Sequence, residues 1–158
     1  MQDNAMSLVE RVCRTLVLQF AQFNDDRRFD DVANLFHEDG SFSRPLNPER
    51  VLYGRAAILA DLQARPVELT TFHVCSNVLI ETESADRAHG VSYFTVYLQQ
   101  GRSTGAGPMR FTGQTFIGRY HDVFEWRTGV GWKIAVRDGR VHLYSGNSTI
   151  APDSIQTA

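Results

Sequence analysis

Along residues 7–23, Leu8, Val12, Leu16 and Phe20 recur at every fourth position, with Val9, Cys13 and Val17 beside them on the helical wheel. That spacing predicts an amphipathic helix with a wide apolar face. Asn24-Asp25-Asp26 interrupts the pattern, and Phe29, Val32, Leu35 and Phe36 then predict a second, short helix. Carboxylates cluster near its start, where the backbone dipole favours them, and His37-Glu38-Asp39-Gly40 reads as its exit. Residues 41–44 read as a short strand ended by Pro45 and Pro48, residues 51–54 as a lead into a third helix over 55–64, and Pro66 as its stop. Beyond Pro66 the chain becomes rich in β-branched and aromatic residues punctuated by turns. Strands are expected over about 68–82, 87–99, 110–125 and 131–144, joined by tight turns at 83–86 and 127–131 and a looser connection at 101–108. Helices gathered first and strands afterwards predict an α+β fold with three N-terminal helices packed on one face of a curved antiparallel sheet.

The 158 residues fit one domain, 1–158, with a core over about 8–143 and a polar, mobile tail from Ser145. Hydrophobic residues at 42% and charged residues at 22% are the balance of a globular protein. A net charge of −2, with arginines scattered and not interleaved with aromatics, argues against a nucleic-acid partner. Two cysteines, Cys13 and Cys75, and no recognisable export segment predict reduced, buried thiols in a cytoplasmic protein, and no apolar run approaches a membrane span. Asn147-Ser148-Thr149 matches a glycosylation pattern that has no meaning in that compartment. Gly105-Ala106-Gly107 lacks the following lysine and the flanking elements of a phosphate loop, and the histidines lack metal-ligand spacing, so neither a metal nor another cofactor is expected.

Several short motifs occur in a telling order: Asn24-Asp25-Asp26-Arg27-Arg28-Phe29-Asp30-Asp31, Leu35-Phe36-His37-Glu38-Asp39-Gly40, Gly54-Arg55, Phe72-His73-Val74-Cys75-Ser76-Asn77, Gly118-Arg119-Tyr120-His121-Asp122 and Gly131-Trp132-Lys133-Ile134. Over about residues 8–143 this order resembles the nuclear transport factor 2-like superfamily, in its SnoaL-like branch with scytalone dehydratase and bile acid dehydratase, and the resemblance implies that the α+β fold is a cone-shaped, cystatin-like roll. The resemblance implies a pocket-facing aspartate four residues before the aromatic of the second helix, which is Asp25 before Phe29, and an acid/base histidine on the first long strand, which is His73. Asn24 stands where the family tends to place a tyrosine, and Val96, Tyr97 and Leu98 occupy the stretch where some members carry a second histidine or aspartate. The full dehydratase constellation is absent.

Eliminating water, or moving a double bond beside a carbonyl, needs one group to take a proton from carbon and one to donate to oxygen, and imidazole suits both roles. Strand alternation puts His73, Cys75 and Asn77 on one face and Phe72, Val74 and Val78 on the other. A carboxylate at Asp25 can then hold one ring nitrogen of His73 and fix its tautomer. The plainer alternatives are a core histidine bonded to a backbone carbonyl and an aspartate capping a helix. Asp26, Asp30 and Asp31 read as caps or surface charges. His121 and Asp122 must point to opposite faces, Tyr120 goes with Asp122, and which face His121 takes stays open. Tyr53, Tyr93 and Tyr97 are hydroxyl donors or packing residues, and Arg137 pairs with an acid in preference to binding a substrate carboxylate.

The expected activity is that of a cofactor-independent lyase (dehydratase) or isomerase acting on a small hydrophobic ring-containing molecule of polyketide, phenolic or steroid-like type. Asp25 and His73 are its catalytic candidates, and Asn77, His121, Tyr53 and Tyr97 its substrate-binding candidates. The competing class is a non-catalytic ligand-binding protein, or a partner like the small subunit of a ring-hydroxylating dioxygenase. The sheet's apolar outer face predicts a homodimer or higher homo-oligomer, the dimer being favoured.

Overall fold

The computed structural model describes residues 2–102 and 107–146, with side chains from Leu8 onward. Gly105 and Ala106 of the glycine-rich connection, the Asn147-Ser148-Thr149 sequence and the tail beyond Gly146 lie outside the described residues. Helix α1 (Gln2–Asp25) carries the apolar stripe and runs on to Asp25, two residues past its expected end at Phe23. Cys13, Leu16, Val17 and Phe20 are buried along it, while Leu8 at the stripe's beginning is exposed. The helix stops at Arg27, whose φ of 57° is left-handed. The Arg28 N–H returns to the Phe23 carbonyl at 2.8 Å, the closing bond of a helix stop usually supplied by glycine. Arg27 holds that conformation by donating from its guanidinium to the carbonyls of Arg65 at 3.0 Å and Pro66 at 3.1 Å.

Helix α2 (Phe29–Asn34) is brief. Strand β1 (Phe36–Arg44) begins directly after it, so His37-Glu38-Asp39-Gly40 belongs to a strand and not to a helix exit. The cause is a distant partner: Phe36 pairs with Ile134, and the Ile134 N–H donates to the Leu35 carbonyl at 2.9 Å. Residues 51–54, expected only to lead into a helix, lie largely in strand β2 (Asn47–Tyr53), which pairs antiparallel with β1. Pro48 is tolerated there because β2 is an edge strand, where a missing N–H breaks no ladder. Helix α3 (Arg55–Gln63) follows Gly54.

Strands β3 (Leu69–Thr82), β4 (Arg87–Gln100), β5 (Gln114–Arg127) and β6 (Gly131–Ser145) form antiparallel neighbours. The six-stranded sheet has the order β2-β1-β6-β5-β4-β3. Because β1 runs parallel to β6, the sheet is mixed, which corrects the expectation of a wholly antiparallel one. The α+β cone itself is as expected. Helix α1 lies across β3 with further contacts to β4 and β6, and α3 lies on β1. Between these layers Phe20 meets Phe36, Phe42 and Tyr120 edge to face at centroid separations of 5.5–6.1 Å. Each buried aromatic or aliphatic side chain of this kind contributes about 1.5–3 kcal/mol. No helix among the described residues is long and apolar enough to cross a membrane.

Candidate active site

Asp25 is the last residue of α1, and its carboxylate turns to β3 instead of capping α2. Oδ2 accepts the backbone N–H of His73 at 2.7 Å, while Oδ1 accepts the Thr71 hydroxyl at 2.9 Å and lies 2.5 Å from His73 Nδ1. An ionised carboxylate only accepts, so Nδ1 carries the proton of this contact, and in the neutral ring Nε2 is the nitrogen that keeps a lone pair. Side-chain exposures of 16% for Asp25 and 10% for His73 keep the pair in touch with solvent without leaving it free to move. His73 is thus not bonded to a backbone carbonyl through its ring. Nε2 has no protein partner among the described residues.

His73 lines a cavity of about 400 Å³ enclosed by α1, α3, the β1–β2 hairpin and the sheet, and Asp25 sits behind it. Such a volume suits a small organic ligand. Its walls include Phe20, Phe42, Phe94, Val96 and Phe116, and its polar lining includes Asn24, Arg44, Asp61, Arg65 and Tyr120. Asn24, at the position where a tyrosine was expected from the resemblance, is buried with its amide donating to the Phe20 carbonyl at 3.0 Å. On the other side, Asp25, Asp26, His73 and Cys75 border an outer crevice of about 260 Å³ between α1 and the free edge of β3.

The four other sequence candidates lie away from this cavity. Asn77 falls in a bulge of β3 where the register shifts between Ser76 and Leu79. Its φ of 48° turns the strand, so Asn77 is exposed and Val78 enters the core, reversing the faces expected for both. His121 points outward opposite Asp122. Tyr53 is 73% exposed, and Tyr97 lies on the outer face against Phe111, centroids 5.6 Å apart. The tyrosine that reaches the cavity is Tyr120, with no hydrogen-bond partner for its hydroxyl among the described residues. Burial pushes its phenol pKa up, so it stays protonated. Alternation had tied Tyr120 to Asp122, but nothing local told which face of β5 the helices cover.

Asp122 is engaged elsewhere: both of its oxygens accept from Arg137, Nε and Nη2 each at 2.8 Å. Burial pulls the Arg137 pKa down, yet the charge of Asp122 and its hydrogen bonds outweigh that and the net shift is upward. The guanidinium also lies over the rings of Phe20 and Tyr120 at 4.1 and 4.3 Å. Burial raises the Cys75 thiol against the opposing charge of Arg137, which makes a nucleophilic thiolate unfavourable. No group of three or more His, Cys, Asp and Glu side chains among the described residues is placed to hold a metal ion.

A family model described as a SnoaL-like domain matches residues 7–138. No curated protein sequence matches the chain. Among solved structures, a provisionally assigned scytalone dehydratase from Novosphingobium aromaticivorans aligns over 100% of this chain and 99% of its own at 24% identity, with a TM-score of 0.76. A type 2 hexachlorocyclohexane dehydrochlorinase, LinA, aligns over 93% and 99% at 18% identity and 0.68, and ActVI-ORFA from Streptomyces coelicolor over 82% and 94% at 21% and 0.63. Identities this low establish a shared fold, whereas the family match spans most of the sequence. The chain therefore belongs to the SnoaL-like domain family of the nuclear transport factor 2-like superfamily.

Proposed function

We propose that this protein is a cofactor-independent lyase or isomerase for a small, hydrophobic, ring-containing molecule, with His73 as its acid/base and Asp25 as the residue that orients and charges it. The observation that carries this reading is the Asp25–His73 contact at the wall of an apolar cavity, with Nε2 unclaimed by protein. In the forward step Nε2 takes a proton from a substrate carbon, and the imidazolium that forms is stabilised by the carboxylate already bonded to Nδ1. His73 then returns the proton either to a departing oxygen, giving a double bond and water, or to a distal carbon, giving the shifted double bond. Tyr120, protonated and facing the cavity, donates a hydrogen bond to the substrate oxygen as charge develops there. One base and one donor meet the needs of this chemistry, so no added metal or nucleotide is invoked. The named dehydratase and dehydrochlorinase among the structural relatives catalyse eliminations by their descriptions, which agrees with the reading.

The test is proton exchange at carbon. Cyclic β-hydroxy ketones and enones incubated in heavy water with the wild-type protein should gain deuterium or lose water, read by mass spectrometry, and His73→Gln should stop both. Tight binding of such compounds with no exchange under any condition would favour the non-catalytic ligand-binding reading. The proposed homodimer forms through the outer face, where Phe72 and Tyr97 pair across β3 and β4, and Val74, Thr95, Ile117 and Leu143 make the next cross-strand row. Phe72, Val74, Tyr97, Ile117 and Leu143 are exposed there.

A further inference from the structure

One end of the cavity has an imbalance of charge that the proposed acid/base pair does not use. Three arginines line it, Arg44, Arg50 and Arg65, against the single carboxylate of Asp61. That carboxylate is divided: Oδ2 accepts Arg44 Nη1 and Oδ1 accepts Arg50 Nη1, each at 2.9 Å. Arg65 has no ion pair among the described residues. Its Nη2 donates to the Asn24 carbonyl at 2.8 Å, and Nη1 makes a long 3.4 Å contact with the Thr71 hydroxyl, which itself bonds Asp25. Its Nε is buried without a partner. The residue is only 8% exposed, its guanidinium lies over the Phe29 ring at 4.9 Å, and all its hydrogen bonds go to neutral oxygens, so an anion in the cavity would add a charged acceptor that it lacks. Burial, followed by the charges of Arg27 and Arg44, outweighs the opposing charge of Asp25 and lowers its pKa to about 10, so it remains cationic at neutral pH. Phe94, Val96 and Phe116, which also line the cavity, are apolar.

We propose that this end of the cavity is an anion-binding subsite and that the ligand is a ring-bearing carboxylate, its ring against Phe94 and Phe116 and its carboxylate between Arg65 and Arg44. A planar guanidinium matches a carboxylate with two parallel hydrogen bonds, which an amide or alcohol of the same shape cannot accept as well. The inference rests on the proposed function only in placing the reacting carbon of that carboxylate near His73. It leaves Asp61 with Arg50 when the ligand draws Arg44 inward.

The experiment compares 2-naphthoate with 2-naphthamide by calorimetry on the intact protein at neutral pH and low salt. The carboxylate should bind about tenfold more tightly or better, the increment expected when a charged acceptor replaces a neutral one. Arg65→Gln should bring the ratio near one and Arg44→Gln should lower it severalfold, with melting curves recorded for each. If Arg65→Gln does not fold, the wild-type ratio and Arg44→Gln decide the matter alone. Equal affinity for the two probes, no binding of 2-naphthoate at millimolar concentration, or a ratio untouched by the arginine substitutions would each overturn the subsite. His73→Gln should keep the ratio, so the two claims separate: an intact ratio with no proton exchange in the wild type removes the catalytic reading and spares the subsite. Exchange that depends on His73 alongside a ratio of one does the reverse.

Discussion

Asp25 and Asp122 both lie between the helices and the sheet, each bonded to one cationic or potentially cationic side chain, yet the two pairs have different surroundings. Asp122 and Arg137 have side-chain exposures of 0% each, meet through two bonds and are roofed by the rings of Phe20 and Tyr120. Arginine does not release its proton in such a setting, so the pair is a fixed charge set that holds β5 to β6. Asp25 meets a histidine that lines an open volume, and its remaining acceptor capacity is taken by Thr71 and by the His73 backbone. What separates the sealed pair from the one proposed for chemistry is thus whether the cation can give up a proton and whether a small molecule can reach it. Burial of a carboxylate by itself does not decide it.

Breaking the open pair should cost function far more than fold. Asp25→Asn and His73→Gln should each reduce proton exchange by about 100- to 10,000-fold, with the double variant little worse than the worse single, because acid/base partners act as a unit. Melting temperatures measured beside the rates should move by only a few degrees. Full exchange in Asp25→Asn would dissolve the proposed pair. Breaking the sealed pair should do the opposite. Arg137→Met strands a buried carboxylate and should cost about 3–5 kcal/mol in urea unfolding, and the double replacement Asp122→Leu with Arg137→Met should recover much of it. A loss under about 1 kcal/mol in the single variant would show that Asp122 finds solvent, contrary to a fixed, sealed charge.

Smaller effects test the surroundings of the two pairs. Sedimentation should show a dimer at micromolar concentration, and Ile117→Lys on the outer face should release monomers; a wild-type protein that is monomeric throughout removes that interface. The least effect concerns Cys13, which lies in the core, raised by burial and by the charge of Asp122 from 9.0 to about 12. Its folded pKa is above its unfolded one, so the stability from burying the neutral thiol is complete below pH 9 and is lost as pH rises toward 12. Cys13→Ala should flatten that part of the alkaline unfolding curve. Rapid alkylation of Cys13 in the folded protein at pH 8 would contradict a sealed interior.

Much of the architecture was legible because it is written in local periods. The apolar repeat of α1, the four long strands and helix α3 lie close to where spacing and turn residues put them. Strands β1 and β2 were legible only in part, since Gly40, Pro45 and Pro48 read locally as breaks while the pairing that makes a strand of residues 36–44 comes from β6, far along the chain. Asp25 and His73 could be named from a motif resemblance, but their contact spans 48 residues and exists only because the left-handed stop at Arg27 ends α1 with its last carboxylate against β3. Asn77 was placed wrongly because a bulge reverses the alternation on which its assignment rested.

The sequence by itself determined the class of fold, the identity of the helix and strand segments with local periodicity, and the residue types available for acid/base chemistry. Those follow from interactions between near neighbours, which a linear pattern records. Only the tertiary structure decided which face of each strand looks into the cavity. It admits Tyr120 and leaves Tyr53, Tyr97 and His121 outside, because both faces of these strands are apolar enough to be buried and only the position of the helices chooses between them. It also brought Arg44, Arg50 and Arg65 to one end of that cavity, since charge at three separated positions acquires a common direction only when β1, β2 and the segment after α3 close around the same space.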